Sequence, residues 1–146
     1  MKFIAFADSN LFLDAFLNRQ PNDIDCITVL HLATSRKIKL FTSSSCLLTT
    51  MYFLKKNSIS GQDIIAIISQ LLEFISIKSP DEQTFVQGLS AGFNDLEDAV
   101  QYFTAMDVKG IDYFITSNTK DYKKATVQLP VVTPKQFLSH YNKKRS

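Results

Sequence analysis

The sequence predicts an α/β domain, a three-layer α/β/α sandwich around a mainly parallel central sheet. Short runs rich in Phe, Ile and Val stand at residues 2–7, 38–41, 74–77 and 112–116 and at Val131–Val132. One or two helical stretches separate the first four of them. Strands spaced in this way match crossover connections, which give parallel neighbours.

Residues 2–7 are an apolar run closed by Asp8-Ser9-Asn10, which puts Asp8 at the C-terminal end of a first strand. Residues 11–18 carry a helical stripe (Leu13, Phe16, Leu17) that stops before Pro21, with Asp14 expected on the exposed side. Ile24, Ile27, Leu30 and Ala33 recur every three positions and mark a second helix over residues 22–36. After the strand at 38–41, Ser43, Ser44 or Ser45 is placed to cap a helix through residues 46–54. Ser60-Gly61-Gln62-Asp63 has capping-box form ahead of an Ile-rich helix. Beyond the strand at 74–77, Pro80-Asp81-Glu82 suits a first helical turn, since proline fixes its dihedral and the acids meet the dipole's positive end. Residues 95–108 form a helix with Ala99, Tyr102, Phe103 and Met106 on one side and Gly110 placed to end it. The strands at 112–116 and Val131–Val132 follow, and Pro134 opens a closing helix.

No internal repeat, low-complexity tract or linker divides the chain, so one domain over residues 1–146 is expected. An apolar fraction of 45% excludes a disordered chain. A net charge of +2 is too mild for indiscriminate binding to nucleic acid, so local patches must carry any such role. Basic residues cluster at Lys55-Lys56, at Lys120 with Lys123-Lys124, and at Lys143-Lys144-Arg145, each of which also reads as solvated surface. Cys26 and Cys46 lack metal-ligand spacing and read as buried or half-buried thiols. Asp8 interrupts the first apolar run before secretory length, and no stretch reaches the length of a membrane span, so a soluble cytoplasmic protein is expected.

In parallel sheets the functional crevice lies outside the carboxyl ends of the strands. Asp8 ends the first strand and Ser117-Asn118-Thr119-Lys120-Asp121 follows the strand at 112–116, so the two acidic loops should open on one sheet edge. Asp95, Glu97 and Asp98 crowd a helix start. Asp95 and Glu97 read as cap and dipole residues, whereas Asp98 precedes Ala99-Val100 on a face turned toward the core. A carboxylate there is costly unless a cation or donors satisfy it. Carboxylates converging without His or Cys suit Mg²⁺ or Mn²⁺, and His31 and His140 are isolated. A metal so held suits phosphodiester hydrolysis. Asp8 after a strand also suits the nucleophile of a haloacid-dehalogenase-type phosphotransferase, but that family needs a second Asp where this chain has Asn10.

Three segments together resemble the motif set of PIN domains: Phe6-Ala7-Asp8-Ser9-Asn10-Leu11-Phe12-Leu13-Asp14, Asp95-Leu96-Glu97-Asp98-Ala99-Val100-Gln101 and Ile115-Thr116-Ser117-Asn118-Thr119-Lys120-Asp121-Tyr122. Residues 43–56 resemble the family's second motif helix, and residues 131–138 its closing strand and helix. The resemblance implies a Mg²⁺- or Mn²⁺-dependent ribonuclease, in many members a VapC-like toxin held inactive by an antitoxin, and often a homodimer. It places Asp8, Asp98 and Asp121 as metal-binding acids and Asn118 where it orients a metal-bound water, the four together forming the catalytic set. It also exposes a departure. Thr49 stands where the family's nucleases carry Glu, so the metal should be held more weakly. A catalytically weak PIN domain that binds RNA or protein is the alternative function.

Overall fold

The computed structural model describes residues 2–125 and 128–145. Five strands form one parallel sheet in the order β3-β2-β1-β4-β5. They are β1 (Ile4–Ala7), β2 (Lys39–Thr42), β3 (Ile75–Ile77), β4 (Tyr113–Ile115) and β5 (Val131–Val132). Their central register pairs Phe6 with Phe41 on one side and with Phe114 on the other. The chain builds outward from β1 through β2 to β3, then returns to place β4 on the opposite side of β1. That reversal is a topological switch point, and it opens a crevice above the carboxyl ends of β1 and β4.

The helices are α1 (Ser9–Phe16), α2 (Asp23–Thr34), α3 (Ser44–Lys56), α4 (Gly61–Leu71), α5 (Glu82–Ser90), α6 (Leu96–Met106) and α7 (Pro134–Arg145), with a 3₁₀ turn at Thr119–Tyr122. Alternation along β1 sends its side chains to two cores. Ala5 and Ala7 join a cluster with Leu11, Phe12, Val29 and Phe137, which lies under α1, α2 and α7. Phe6 joins Ala99, Tyr102, Phe114 and Tyr122 beneath α6 and the 3₁₀ turn. Small residues on one face of β1 and a large aromatic on the other set how closely each helical layer approaches. The result is the expected three-layer α/β/α arrangement.

The caps explain where several elements differ from the expected bounds. Asp8 caps α1 by accepting from its own neighbour Ser9, so that helix begins two residues earlier than its apolar stripe. Ser43 is the cap of α3, and Ser60 accepts from Asp63 as the start of α4. Pro80 lies before the helix rather than in its first turn: Asp81 caps α5, exchanging hydrogen bonds with Thr84 in a reciprocal box. Asp95 is likewise the cap of α6 and not its first residue. That helix ends at Met106. Gly110, with φ of +76°, serves the turn into β4 instead of the helix terminus. No helix among the described residues is long and apolar enough to cross a membrane.

Candidate metal centre at the switch point

Asp8 sits at the end of β1, where its backbone N–H still donates to Ile115 O of β4. The pairing of β1 with β4 therefore brings residues more than a hundred positions apart around one carboxyl. Asp8 Oδ1 accepts from Ser9 N at 2.7 Å and has Ser9 Oγ at 3.5 Å and Cys46 Sγ at 3.9 Å. Its Oδ2 accepts from Tyr122 Oη at 3.1 Å and Thr116 Oγ1 at 3.2 Å, with Asn10 Nδ2 at 3.4 Å. Only 7% of Asp8 is exposed. Burial pushes its pKa up, and the hydrogen bonds from Ser9, Tyr122 and Thr116 pull it back.

Asp98 enters from the first turn of α6, with its backbone N–H donating to the capping Asp95. It is half-buried. Its pKa is raised to about 7, first by burial and then by the charges of Asp8, Asp95 and Asp121, against a hydrogen bond from Tyr122. The Tyr122 hydroxyl donates to Asp8 Oδ2 at 3.1 Å. Two carboxylates whose charges raise one another's cost of ionisation make a site where positive charge is favoured.

Asn118 and Asp121 belong to the loop and 3₁₀ turn after β4. Asn118 Nδ2 donates to Asp121 Oδ2, and both side chains are exposed. Asp121 lies close enough for its charge to act on Asp98. Thr116 Oγ1 accepts from the Asn118 backbone, which fixes the loop's departure from the sheet. Thr49 is half-buried on α3, one turn beyond Cys46 and so on the side of that helix that approaches Asp8.

The expectation for Asp14 is overturned. Only 6% of it is exposed, and it accepts from Ser117 Oγ at 2.8 Å. Asp14 follows Asn10 by one helical turn, and Asn10 Oδ1 accepts from Ser117 N at 3.0 Å, so this face of α1 meets the loop after β4. Cys26 and Cys46 are buried free thiols, each pushed up to about 12 by burial first and then by Asp14 or Asp8 respectively. His140 stacks on Tyr113 and His31 lies exposed on α2, both away from the acidic edge.

The sequence reading missed Tyr122, Thr116, Asn10 and Cys46 as partners of Asp8. Their only local signal is a hydroxyl, amide or thiol beside a motif acid. Ser43 caps α3 as one of the three expected serines, but its partner Gln101 was not anticipated. The buried Ser43 hydroxyl donates to Gln101 Oε1 and ties the start of α3 to α6.

The donor chemistry fits a hard cation. Asp8 and Asp98 offer oxygens, and Mg²⁺ is commonly held by one or two carboxylates with water in its other positions. Among the described residues no group of three His, Cys, Asp or Glu side chains could hold a metal ion.

A five-stranded parallel sheet with acids at its switch point defines a class of α/β proteins whose chemistry sits on that edge. The model of the PIN domain family matches residues 5–120, and the chain belongs to that family. Ribonuclease VapC1 of Aquifex aeolicus (strain VF5) is 28% identical over 142 residues, covering 94% of each chain. Among solved structures, a toxin–antitoxin complex from Klebsiella pneumoniae matches 89% of this chain and 97% of its own at TM-score 0.65 and 22% identity. VapBC2 from Rickettsia felis, bound to a promoter DNA fragment, matches 90% and 98% at TM-score 0.66 and 16% identity. Mycobacterium tuberculosis VapC20, a toxin that cleaves the sarcin–ricin loop, matches 75% and 86% at TM-score 0.57 and 16% identity.

Proposed function

We propose that the protein is a Mg²⁺- or Mn²⁺-dependent endoribonuclease of toxin type, cutting RNA at the Asp8–Asp98 edge and paired in the cell with a small antitoxin. The observation that carries this reading is the meeting of Asp8 and Asp98 at the switch point, near enough for the charge of Asp8 to raise the pKa of Asp98. The relative named as a ribonuclease and the neighbours solved as toxin–antitoxin complexes support it.

Asp8 and Asp98 would hold the cation, with Asp121 and Asn118 orienting its outer water. When bound, the ion supplies an activated water and offsets charge on the phosphodiester. Asp8 keeps its place through the hydrogen bonds of Ser9 and Thr116. Lys120, Lys123 and Lys124 are exposed on the same loop, where they can contact RNA phosphates on either side of the cut.

Thr49 favours a second reading, a catalytically weak domain that binds RNA or protein, because a neutral hydroxyl replaces one acid of the site. The two readings separate in one assay. Structured RNA is incubated with the protein in Mn²⁺ and in EDTA, beside Asp98→Asn. The nuclease reading expects cleavage in Mn²⁺ that EDTA and Asp98→Asn both abolish; no cleavage, or cleavage unchanged by the substitution, sinks it.

A further inference from the structure

This inference builds on the cation reading and concerns what the metal must displace. Asp8 Oδ2 has three donors around it, from Tyr122, Thr116 and Asn10, while a carboxylate oxygen has two lone pairs to give. Thr116 directly follows β4, with its N–H on Val132 O of β5, and Asn10 lies in the first turn of α1, so both approach Asp8 from the framework that also holds the backbone. Asn10 Nδ2 has a second acceptor in Thr116 Oγ1 at 3.0 Å. Tyr122 is different. Its hydroxyl comes from the 3₁₀ turn after β4 and donates to Asp8 Oδ2 at 3.1 Å, so it takes up a lone pair that a cation held by Asp8 would need.

The phenol is fixed there by packing. Tyr122 is 3% exposed, with its ring centroid 4.8 Å from that of Phe114 and 6.0 Å from that of Phe93. A phenol is protonated at neutral pH, and its proton is given to Asp8 Oδ2. A protonated phenol satisfies a carboxylate but is a poor ligand for a hard cation.

We infer that Tyr122 is a positioning residue that holds the Asp8 carboxylate in the metal-free protein, and that its hydroxyl competes with a divalent cation for Asp8 Oδ2. The hydroxyl therefore sets the affinity of the site. Removing it leaves Asp8 with framework donors only and lets the cation bind without breaking a charge-assisted hydrogen bond, a change of roughly tenfold in an equilibrium constant.

Mn²⁺ binding to the wild type, Tyr122→Phe and Asp98→Asn is measured by calorimetry on the full chain, with circular dichroism as the check on fold. Phe retains the ring contacts, and Tyr122→Phe should bind Mn²⁺ about tenfold more tightly than the wild type. Metal-free Tyr122→Phe should melt lower, and Mn²⁺ should raise its melting temperature further than it does for the wild type. Equal or weaker binding by a folded Tyr122→Phe overturns the inference, as does binding by neither protein. If Asp98→Asn binds Mn²⁺ as well as the wild type, the cation reading itself fails. If Asp98→Asn loses binding while Tyr122→Phe is unchanged, only the role of Tyr122 fails. A second measurement needs no substitution. The ring signals of the buried Tyr122, followed by NMR in the wild type, should shift or broaden as Mg²⁺ is added; unperturbed signals at saturating Mg²⁺ also overturn the inference.

Discussion

Asp8 and Asp98 carry the same functional group and are held in opposite ways. Asp8 ends a central strand, lies almost fully buried, and is met by donors from α1, β4's end, the 3₁₀ turn and α3. Asp98 rises from the first turn of a helix, is half-buried, and is surrounded by the charges of Asp8, Asp95 and Asp121. One carboxylate is part of the framework that joins β1 to β4. The other stands at the rim of that framework among like charges. Changes at the two positions should therefore separate folding from chemistry.

The largest expected difference is in stability. Asp8→Ala removes the acceptor for several buried donors and should lower the unfolding free energy by about 3 kcal/mol in urea titrations. Asp98→Ala should not lower it, while abolishing Mn²⁺-dependent RNA cleavage as completely as Asp8→Ala. Equal destabilisation by the two substitutions would break the contrast.

A pH series sharpens it. The folded-state pKa of Asp98 is raised to about 7 from an ordinary value of 3.8, so the native state disfavours its ionised form. The associated stability is fully present below the unfolded pKa and is lost as pH rises from about 4 through 7. In EDTA, Asp98→Asn should thus gain on the wild type across that window, reaching roughly 1–2 kcal/mol above pH 7 once solvent screening of a half-exposed group is allowed for. Parallel stability curves for the two proteins would contradict this account of Asp98.

How much of this edge is legible in the sequence depends on how far apart the partners lie. Asp8 at a strand end, Asp95 as a cap and Asp98 before an apolar pair are local patterns, and each stands where local chemistry puts it. The parallel sheet follows from strand spacing alone. The buried position of Asp14 and the donors to Asp8 do not. Thr116 and Tyr122 are 108 and 114 residues from Asp8, and Ser117 is 103 from Asp14. Those contacts exist because β4 returns to pair with β1, a choice that helical or strand periodicity does not encode.

Two smaller effects probe the surroundings of the pair. Thr49→Glu restores an acid on the face of α3 that approaches Asp8 and should tighten Mn²⁺ binding by about tenfold in calorimetry, since affinity follows ligand charge. Unchanged affinity would show that Thr49 does not face the site. Ser43→Ala removes the cap of α3 and the donor to Gln101 and should cost about 1 kcal/mol in thermal or urea unfolding. Its Mn²⁺ affinity should stay at the wild-type value, because the Ser43 hydroxyl is engaged by Gln101 Oε1 and the Cys46 N–H; a large loss of affinity would show that Ser43 takes part in binding the cation.

The central claim is that Asp8 and Asp98, unlike as they are, form one cation site. Crystals soaked in Mn²⁺ and measured near the manganese absorption edge test it directly. The account predicts an anomalous peak bonded to oxygens of both carboxylates, with the Tyr122 hydroxyl no longer on Asp8 Oδ2. A fully soaked crystal with no peak there, or with manganese bound only elsewhere, would contradict it.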